Sequence, residues 1–238
     1  SDWSSDVCSS DLGREPLAFE VGDFNGDKIP DIAVSNYGDG NIAIILGQKD
    51  GVFKQKSKIK VGRLPIGVSV GDFNNDAKLD LAITLRFDKL VILLGIGDGS
   101  FKMGEVYKAS GTPSYMSVGD FDNDKNIDIA IAFNGVRVNF IRVFHGNGDG
   151  TFKPPVKVLG GKQSAFITQH DLNNDGQDDI IAPSVDGFWV ATQLSDGTFS
   201  EPIKIGPPEP YLNQSTFDDK RNYGEVGINA MTIPWYLS

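Results

Sequence analysis

The sequence predicts an all-β fold of four-stranded antiparallel units, repeated four times. Three observations carry that expectation. A nonapeptide of the form D-x-[DN]-x-D-x-x-x-D begins at Asp23, Asp72, Asp120 and Asp171. The copies lie 49, 48 and 51 residues apart, the spacing of a repeat architecture. Around each copy, apolar residues alternate with period two or run in short blocks. No 3.6-residue period persists over a dozen residues, so strands are expected and helices are not.

Each unit reads in the same order. An alternating run opens it: LAFEVGD, IGVSVGD, SYMSVGD and AFITQHD. Alternation marks a half-buried strand. The acidic nonapeptide follows, as DFNGDKIPD, DFNNDAKLD, DFDNDKNID and DLNNDGQDD. Its last aspartate starts a more apolar run: DIAVS, DLAIT, DIAIA and DIIAP. After a short polar link comes a third run: NIAIILG, KLVILLG, NFIRVFHG and GFWVATQ. An Asp-Gly pair then precedes a phenylalanine: Asp50-Gly51 with Phe53, Asp98-Gly99 with Phe101, Asp149-Gly150 with Phe152, and Asp196-Gly197 with Phe199. Asp-Gly between apolar runs signals a hairpin in which both residues take positive φ. A polar fourth run, such as FKQKSKIKV, closes the unit. Four antiparallel strands graded from apolar inner to polar outer form the blade of a β-propeller. Four blades are visible, at about residues 14–62, 63–111, 112–162 and 163–206.

The flanks read differently. Residues 1–12, SDWSSDVCSSDL, share neither the period nor the composition of the rest. They lack the apolar core of a signal peptide. They resemble an in-frame translated sequencing adapter and are set aside as non-native, so a native signal peptide is not observable. The sole cysteine, Cys8, lies there, leaving a cysteine-free remainder. Net charge then moves from -10 to nearer -7, with 22 basic against 29 acidic residues. Residues 207–238 show neither loop nor turn and are expected to be an irregular tail or a decayed fifth blade. Four blades is the low end for a closed ring, so the chain reads as part of a larger propeller.

Composition narrows the function. The acidic balance argues against a nucleic-acid partner, which needs a basic stripe. No apolar run reaches the ~20 residues of a transmembrane segment. The four nonapeptides hold 14 aspartates, so much of the negative charge is local. Carboxylates this dense are costly to fold unless a cation sits among them.

Calcium fits the spacing. It takes roughly six to eight hard oxygen ligands in flexible geometry. Alternation brings the side chains of positions 1, 3 and 5 to one side of a tight loop; position 7 adds a carbonyl and position 9 closes the shell. The candidates are Asp23, Asn25, Asp27, the Ile29 carbonyl and Asp31 in the first copy. The second offers Asp72, Asn74, Asp76, the Lys78 carbonyl and Asp80. The third offers Asp120, Asp122, Asp124, the Asn126 carbonyl and Asp128. The fourth offers Asp171, Asn173, Asp175, the Gln177 carbonyl and Asp179. One Ca2+ per loop, about four in all, is expected in a structural role. An EF-hand does not fit, because position 12 is Val34, Ile83, Ile131 or Ala182 rather than Glu. Magnesium demands a stiffer octahedron, and zinc would want His or Cys in the loops. The third copy, with four carboxylates, should bind most tightly if charge decides. Asp178 lies outside the alternation and is expected to be solvated. Phe24, Phe73, Phe121 and Leu172, at position 2, are expected to plug the core between blades.

The acidic loop, the D-G-x-F turn and the ~50-residue period, recurring together, resemble the FG-GAP repeats of integrin-α-type propellers and their VCBS-type relatives. The resemblance covers residues 14–206, although the literal Phe-Gly-Gly-Ala-Pro string is absent. It implies a propeller, calcium at the same five loop positions, a secreted or cell-surface location and a role in adhesion or recognition.

Antiparallel strands put the acidic loops and Asp-Gly turns on one rim. The opposite rim is not repetitive, and a protein or glycan ligand is expected there. Its candidates are Asn36, Tyr37, Arg63, Arg86, Phe87, Phe133, Asn134, Arg137 and Lys162. Only two histidines exist, His145 and His170, both near the acidic rim and both read as packing residues. The expected function is therefore non-catalytic recognition; the alternative is a propeller domain of a polysaccharide-degrading, lyase-like enzyme.

Overall fold

The computed structural model describes residues 12–109, 111–133, 140–159, 167–184 and 187–206. Among them are sixteen strands and no helix. The first sheet holds β1 (Pro16–Gly22), β2 (Asp31–Asn36), β3 (Asn41–Gly47) and β4 (Phe53–Lys60). The second holds β5 (Pro65–Gly71), β6 (Asp80–Leu85), β7 (Lys89–Gly95) and β8 (Phe101–Lys108). The third holds β9 (Pro113–Gly119), β10 (Asp128–Phe133), β11 (Phe140–Phe144) and β12 (Val156–Leu159). The fourth holds β13 (Thr168–His170), β14 (Asp179–Ser184), β15 (Gly187–Ala191) and β16 (Ile203–Ile205). Each sheet is antiparallel with its strands in chain order, so the described residues form four four-stranded sheets. The first strands lie side by side, β1 by β5, β5 by β9 and β9 by β13.

Burial follows the sequence pattern with one departure. β6 and β10 are buried along their whole length, as their unbroken Leu, Ile and Ala content requires. β4 alternates, turning its lysines outward. The gradient, however, does not start at the first strand. β2 and β3 are the most buried of their blade, because a middle strand has a neighbour on each side; β1 is half exposed, whereas its counterpart β5, flanked by β1 and β9, has no exposed residue.

The core sits between blades. Phe24, Ile42 and Ile44 of the first blade pack with Val68, Leu81 and Ile83 of the second. Phe73, Leu90 and Ile92 then meet Ile129, Ile131 and Phe133 of the third. Phe121, Ile141 and Val143 meet Ile167, Ile180 and Ala182 of the fourth. Phe24, Phe73 and Phe121 are thus the expected plugs, each 2% exposed or less. Leu172 is not: it is 46% exposed, since no further blade covers its side among the described residues.

The Asp-Gly turns also differ from a two-residue hairpin. Only the glycines have positive φ, at 80°, 78°, 83° and 77° for Gly51, Gly99, Gly150 and Gly197. Each turn spans three residues, closed for example by the Gln48 amide on the Val52 carbonyl at 2.8 Å. Each aspartate instead accepts the amide two residues on, as Asp98 does from Ser100 at 2.9 Å.

Candidate metal centre

The four acidic loops share one backbone. Positions 4 and 6 are left-handed in every copy: Gly26 and Lys28, Asn75 and Ala77, Asn123 and Lys125, Asn174 and Gly176. Two such residues flanking position 5 curl the chain into a tight loop. The curl is held by the loop's own carboxylates. Asp23 accepts amides from Gly26, Asp27 and Lys28 at 2.7, 3.1 and 2.8 Å. Asp72, Asp120 and Asp171 accept the amides of positions 5 and 6 in the same way. Position 5 accepts the amide of position 7: Asp27 from Ile29, Asp76 from Lys78, Asp124 from Asn126 and Asp175 from Gln177, at 2.8 to 3.0 Å. Asn25, Asn74 and Asn173 accept the amide of position 5.

A left-handed backbone costs a non-glycine residue about 1–2 kcal/mol. Ala77, at φ 62°, gains nothing from its methyl group in exchange. Replacing Ala77 by glycine is therefore expected to stabilise the protein by up to about 1 kcal/mol, after the added flexibility of the unfolded chain is subtracted. Urea unfolding of the two proteins checks this.

Position 9 is a different kind of residue. Asp31, Asp80, Asp128 and Asp179 are all buried. One oxygen of each accepts the amide of position 2, from Phe24, Phe73, Phe121 and Leu172 at 2.8 to 3.1 Å. The other accepts the amide that ends the third run, from Gly47, Gly95, Gly146 and Gln193 at 2.7 to 3.0 Å. This carboxylate, at the start of the second strand, ties the acidic loop to the end of the third run. Sequence reasoning placed it only as a ligand. The glycine that ends the third run in three copies was the available signal.

Burial pushes the Asp80 carboxyl up from 3.8 to about 6, against the pull of the Gly95 and Phe73 amides and with the charges of Asp76 and Asp72 adding to the rise. Asp31 is raised for the same reasons, with Asp27 and Asp23 as the neighbouring charges. A folded-state value above the unfolded one favours the neutral acid. In metal-free protein this contribution is complete below pH ~4 and is lost as pH climbs through about 6. Melting temperature in EGTA is thus expected to fall between about pH 4 and 7. A bound cation reverses the slope, because it needs the ionised form. Melts at several pH values, with EGTA and with calcium, measure both slopes.

The third loop gathers the most charge. Carboxylate oxygens of Asp120, Asp122 and Asp124 lie within 4.8 Å of one another. Oδ1 of Asp122 is buried and has no hydrogen-bond partner. Hard oxygens converging on a point, one of them unsatisfied, fit a hard cation. Two basic groups also lean on this loop. His145 Nδ1 lies 3.0 Å from Asp128 and 3.3 Å from Asp122. Lys153 Nζ lies 3.3 Å from Asp122 and 3.5 Å from Asp124. Burial alone would lower the His145 pKa; the hydrogen bond and charge of Asp128 and the charge of Asp122 outweigh it and raise it. The fourth carboxylate of this loop, Asp122, thus has His145 and Lys153 as basic neighbours.

Other predicted residues fall in various places. Asp178 is not solvated: it is partly buried, its Oδ2 3.5 Å from where a Cβ on Gly119 would lie, and burial raises its pKa. It fills the place of Leu79 and Ile127, which pack on Gly22 and Gly71. Asn36 and Phe133 are buried rather than available to a ligand. Asn36 bonds Asn41 at 2.8 Å and the Gly13 amide at 3.1 Å. Tyr37 and Arg86 are hydrogen-bonded to each other across the first two blades. Arg63 stands 5.9 Å over the Phe87 ring. Cys8, Asn134, Arg137, Lys162 and residues 207–238 lie outside the described residues.

Comparison with known proteins agrees with this geometry. The model of the FG-GAP-like repeat matches residues 23–83, 72–131 and 120–182. Each match starts on the first aspartate of an acidic loop, and together they cover most of the chain. The chain belongs to the FG-GAP-like repeat family. Solved structures with propeller-like folds resemble it. One is an Agrocybe aegerita lectin that recognises non-reducing terminal N-acetylglucosamine, 23% identical with a TM-score of 0.56 over 77% of this chain and 50% of that one. A putative 6-phosphogluconolactonase from Bacteroides uniformis is 10% identical, with a TM-score of 0.60 over 80% and 55%. A Lactobacillus plantarum protein is 15% identical, with a TM-score of 0.58 over 80% and 57%. At these identities the likeness speaks to the fold alone. The chain spans about half the length of the solved structures it matches. Comparison with curated proteins gives no match. No helix among the described residues is long and apolar enough to cross a membrane.

Proposed function

We propose that the chain is a calcium-stabilised propeller module that recognises a glycan or protein ligand, carried by a secreted or cell-surface protein. Each acidic loop would hold one Ca2+ through the five positions named above. Calcium would pin the first strand to the second in every blade. Millimolar extracellular calcium suits such exposed, partly neutralised sites.

The observation that carries the recognition reading is a cleft of about 580 Å3 on the rim away from the acidic loops. Glu15, Tyr37, Ile66, Arg86, Thr112 and Pro113 line it. An aromatic ring beside a guanidinium offers one flat face for a sugar ring and a fork of donors for hydroxyl or carboxylate oxygens. A glycan array probed with calcium-loaded protein, beside Tyr37→Ala and Arg86→Ala variants, tests the reading. Selective binding that both substitutions weaken at least about tenfold is expected, with melting temperatures lowered by only a few degrees through loss of the Tyr37–Arg86 bond. Binding to no glycan or protein, or binding indifferent to both substitutions, would overturn it. Cleavage of an acidic polysaccharide in the same assay would favour the lyase-like alternative.

A further inference from the structure

The rim away from the acidic loops carries one device twice. Glu15 and Leu64 hold the same place in successive repeats, each directly before the proline that opens a first strand. Both are left-handed, at φ 54° and 57°, a conformation that is costly for a residue with a side chain. Each carbonyl accepts an amide from the link after the second strand, Glu15 from Tyr37 at 2.9 Å and Leu64 from Arg86 at 3.0 Å. Tyr37 and Arg86 are therefore equivalents in neighbouring repeats, and their side chains meet in a hydrogen bond. Strained backbone persists only where its surroundings hold it, and it gathers at ligand clamps.

Tyr37 also stands where two clefts join. The one described above runs from Tyr37 and Arg86 over the starts of the first strands. A second, of about 390 Å3, shares Tyr37 and is lined by Asp39, Lys60 and Arg63. Each has the size of a small-ligand site, and together they make one groove. Its charge runs against that of the chain, whose net charge is -10. Lys60, Arg63 and Arg86 are exposed and have no acidic partner among the described residues. Asp39 is already bound to Arg14 at 2.7 Å. Glu15 is then the one unpaired carboxylate lining the two clefts, against three cations.

We propose, on the footing of the recognition role given above, that the ligand is an acidic glycan, a saccharide chain bearing carboxylate or sulfate groups, and that it lies along both clefts. One anionic group pairs with Arg86. Another pairs with Lys60 and Arg63 in the second cleft. Guanidinium forks donate two parallel hydrogen bonds to such groups. The Tyr37 ring, at the junction, offers a flat face to the sugar between them. Glu15 accepts hydrogen bonds from sugar hydroxyls. An acidic peptide would bring like charge to Glu15 with no hydroxyl to meet it, so the mixture of three cations, one carboxylate and a ring favours the glycan.

Binding of the calcium-loaded full chain to four probes, at low and high salt, tests the proposal. Hyaluronan oligosaccharides supply carboxylate, carrageenan oligosaccharides supply sulfate, cello-oligosaccharides are uncharged, and polyglutamate is the acidic peptide. At least one anionic glycan is expected to bind at least about tenfold more tightly than the uncharged series, and more weakly as salt rises. Lys60→Gln combined with Arg63→Gln should weaken that binding at least about tenfold, as should Arg86→Gln in the other cleft. Lys60 and Arg63 are exposed, so the melting temperature of their double variant should move by no more than a few degrees. Equal binding of the uncharged series, a preference for polyglutamate, or acidic-glycan binding indifferent to Lys60 and Arg63 would overturn the ligand class and leave the recognition role standing. Binding to none of these probes, nor to any other glycan or protein, would overturn both.

Discussion

Replacing Asp80 with alanine is expected to cost about 3–5 kcal/mol, the largest effect of any single acidic-loop residue in the second blade. The side chain is fully buried and both its oxygens accept backbone amides, Phe73 at 2.9 Å and Gly95 at 2.7 Å. Alanine leaves two buried N–H groups without acceptors, at roughly 1–3 kcal/mol each. It also opens a space at the point where the acidic loop, the second strand and the end of the third strand meet. Total stability of a domain is about 5–15 kcal/mol, so this variant stands close to unfolding. The matched control is Asp98→Ala in the exposed turn, which loses local bonds to Ser100 and should cost about 1 kcal/mol or less. Urea denaturation in EGTA isolates the hydrogen-bond contribution, because calcium is then absent from both proteins. A cost below about 1 kcal/mol for Asp80→Ala would mean that position 9 is a surface ligand and not the tie described above.

Gly95→Ala is the second large effect, and it arises from contact rather than lost bonds. A Cβ on Gly95 would sit 2.2 Å from the carbonyl oxygen of Leu79. The same methyl on Gly47 or Gly146 would lie 2.3 Å from the Pro30 oxygen or 2.4 Å from the Ile127 oxygen. The obstacle is backbone, held within the acidic loop, so it cannot rotate away. Relief requires the third strand to withdraw from the loop, which lengthens the bond to Asp80. A cost of about 3 kcal/mol is expected, at the upper end for overpacking. The fourth blade has already made this change: Gln193 occupies the glycine position. Its amide still reaches Asp179, at 3.0 Å, but Oε1 and Nε2 are both buried without hydrogen-bond partners. Gln193→Gly should therefore move stability in the opposite direction, by about 1–2 kcal/mol. Thermal melts of the two variants, read side by side, test sign as well as size.

The contrast between these two blades shows which features a sequence reader can see. The period, the strands and the loop positions were legible because their chemistry is local. Alternation, a run of aspartates at fixed spacing and an Asp-Gly pair each state their conformation within a few residues. The role of Asp31, Asp80, Asp128 and Asp179 was not legible, since it depends on where the third run ends beside them in the sheet, 14 to 18 residues further along the chain. Leu172 read as a plug because its three counterparts are plugs; its exposure depends on which blade stands beside it in space, not on its neighbours in the chain. Asp178 read as solvated because it breaks the ligand alternation. It is half-buried because position 8 packs on the preceding blade, where Leu79 and Ile127 stand in other copies. His145 was visible as an oddity in the third run, but its two carboxylate partners lie 17 and 23 residues away in sequence.

Calcium binding itself is the most direct test of the acidic loops as metal sites. Titration calorimetry of the full chain should show about four calcium ions per chain, one for each loop. Melting in excess calcium should exceed melting in EGTA by at least about 10 °C, because each site filled to about a hundred times its dissociation constant adds about 2.7 kcal/mol. No heat of binding together with identical melting temperatures in calcium and EGTA would contradict it.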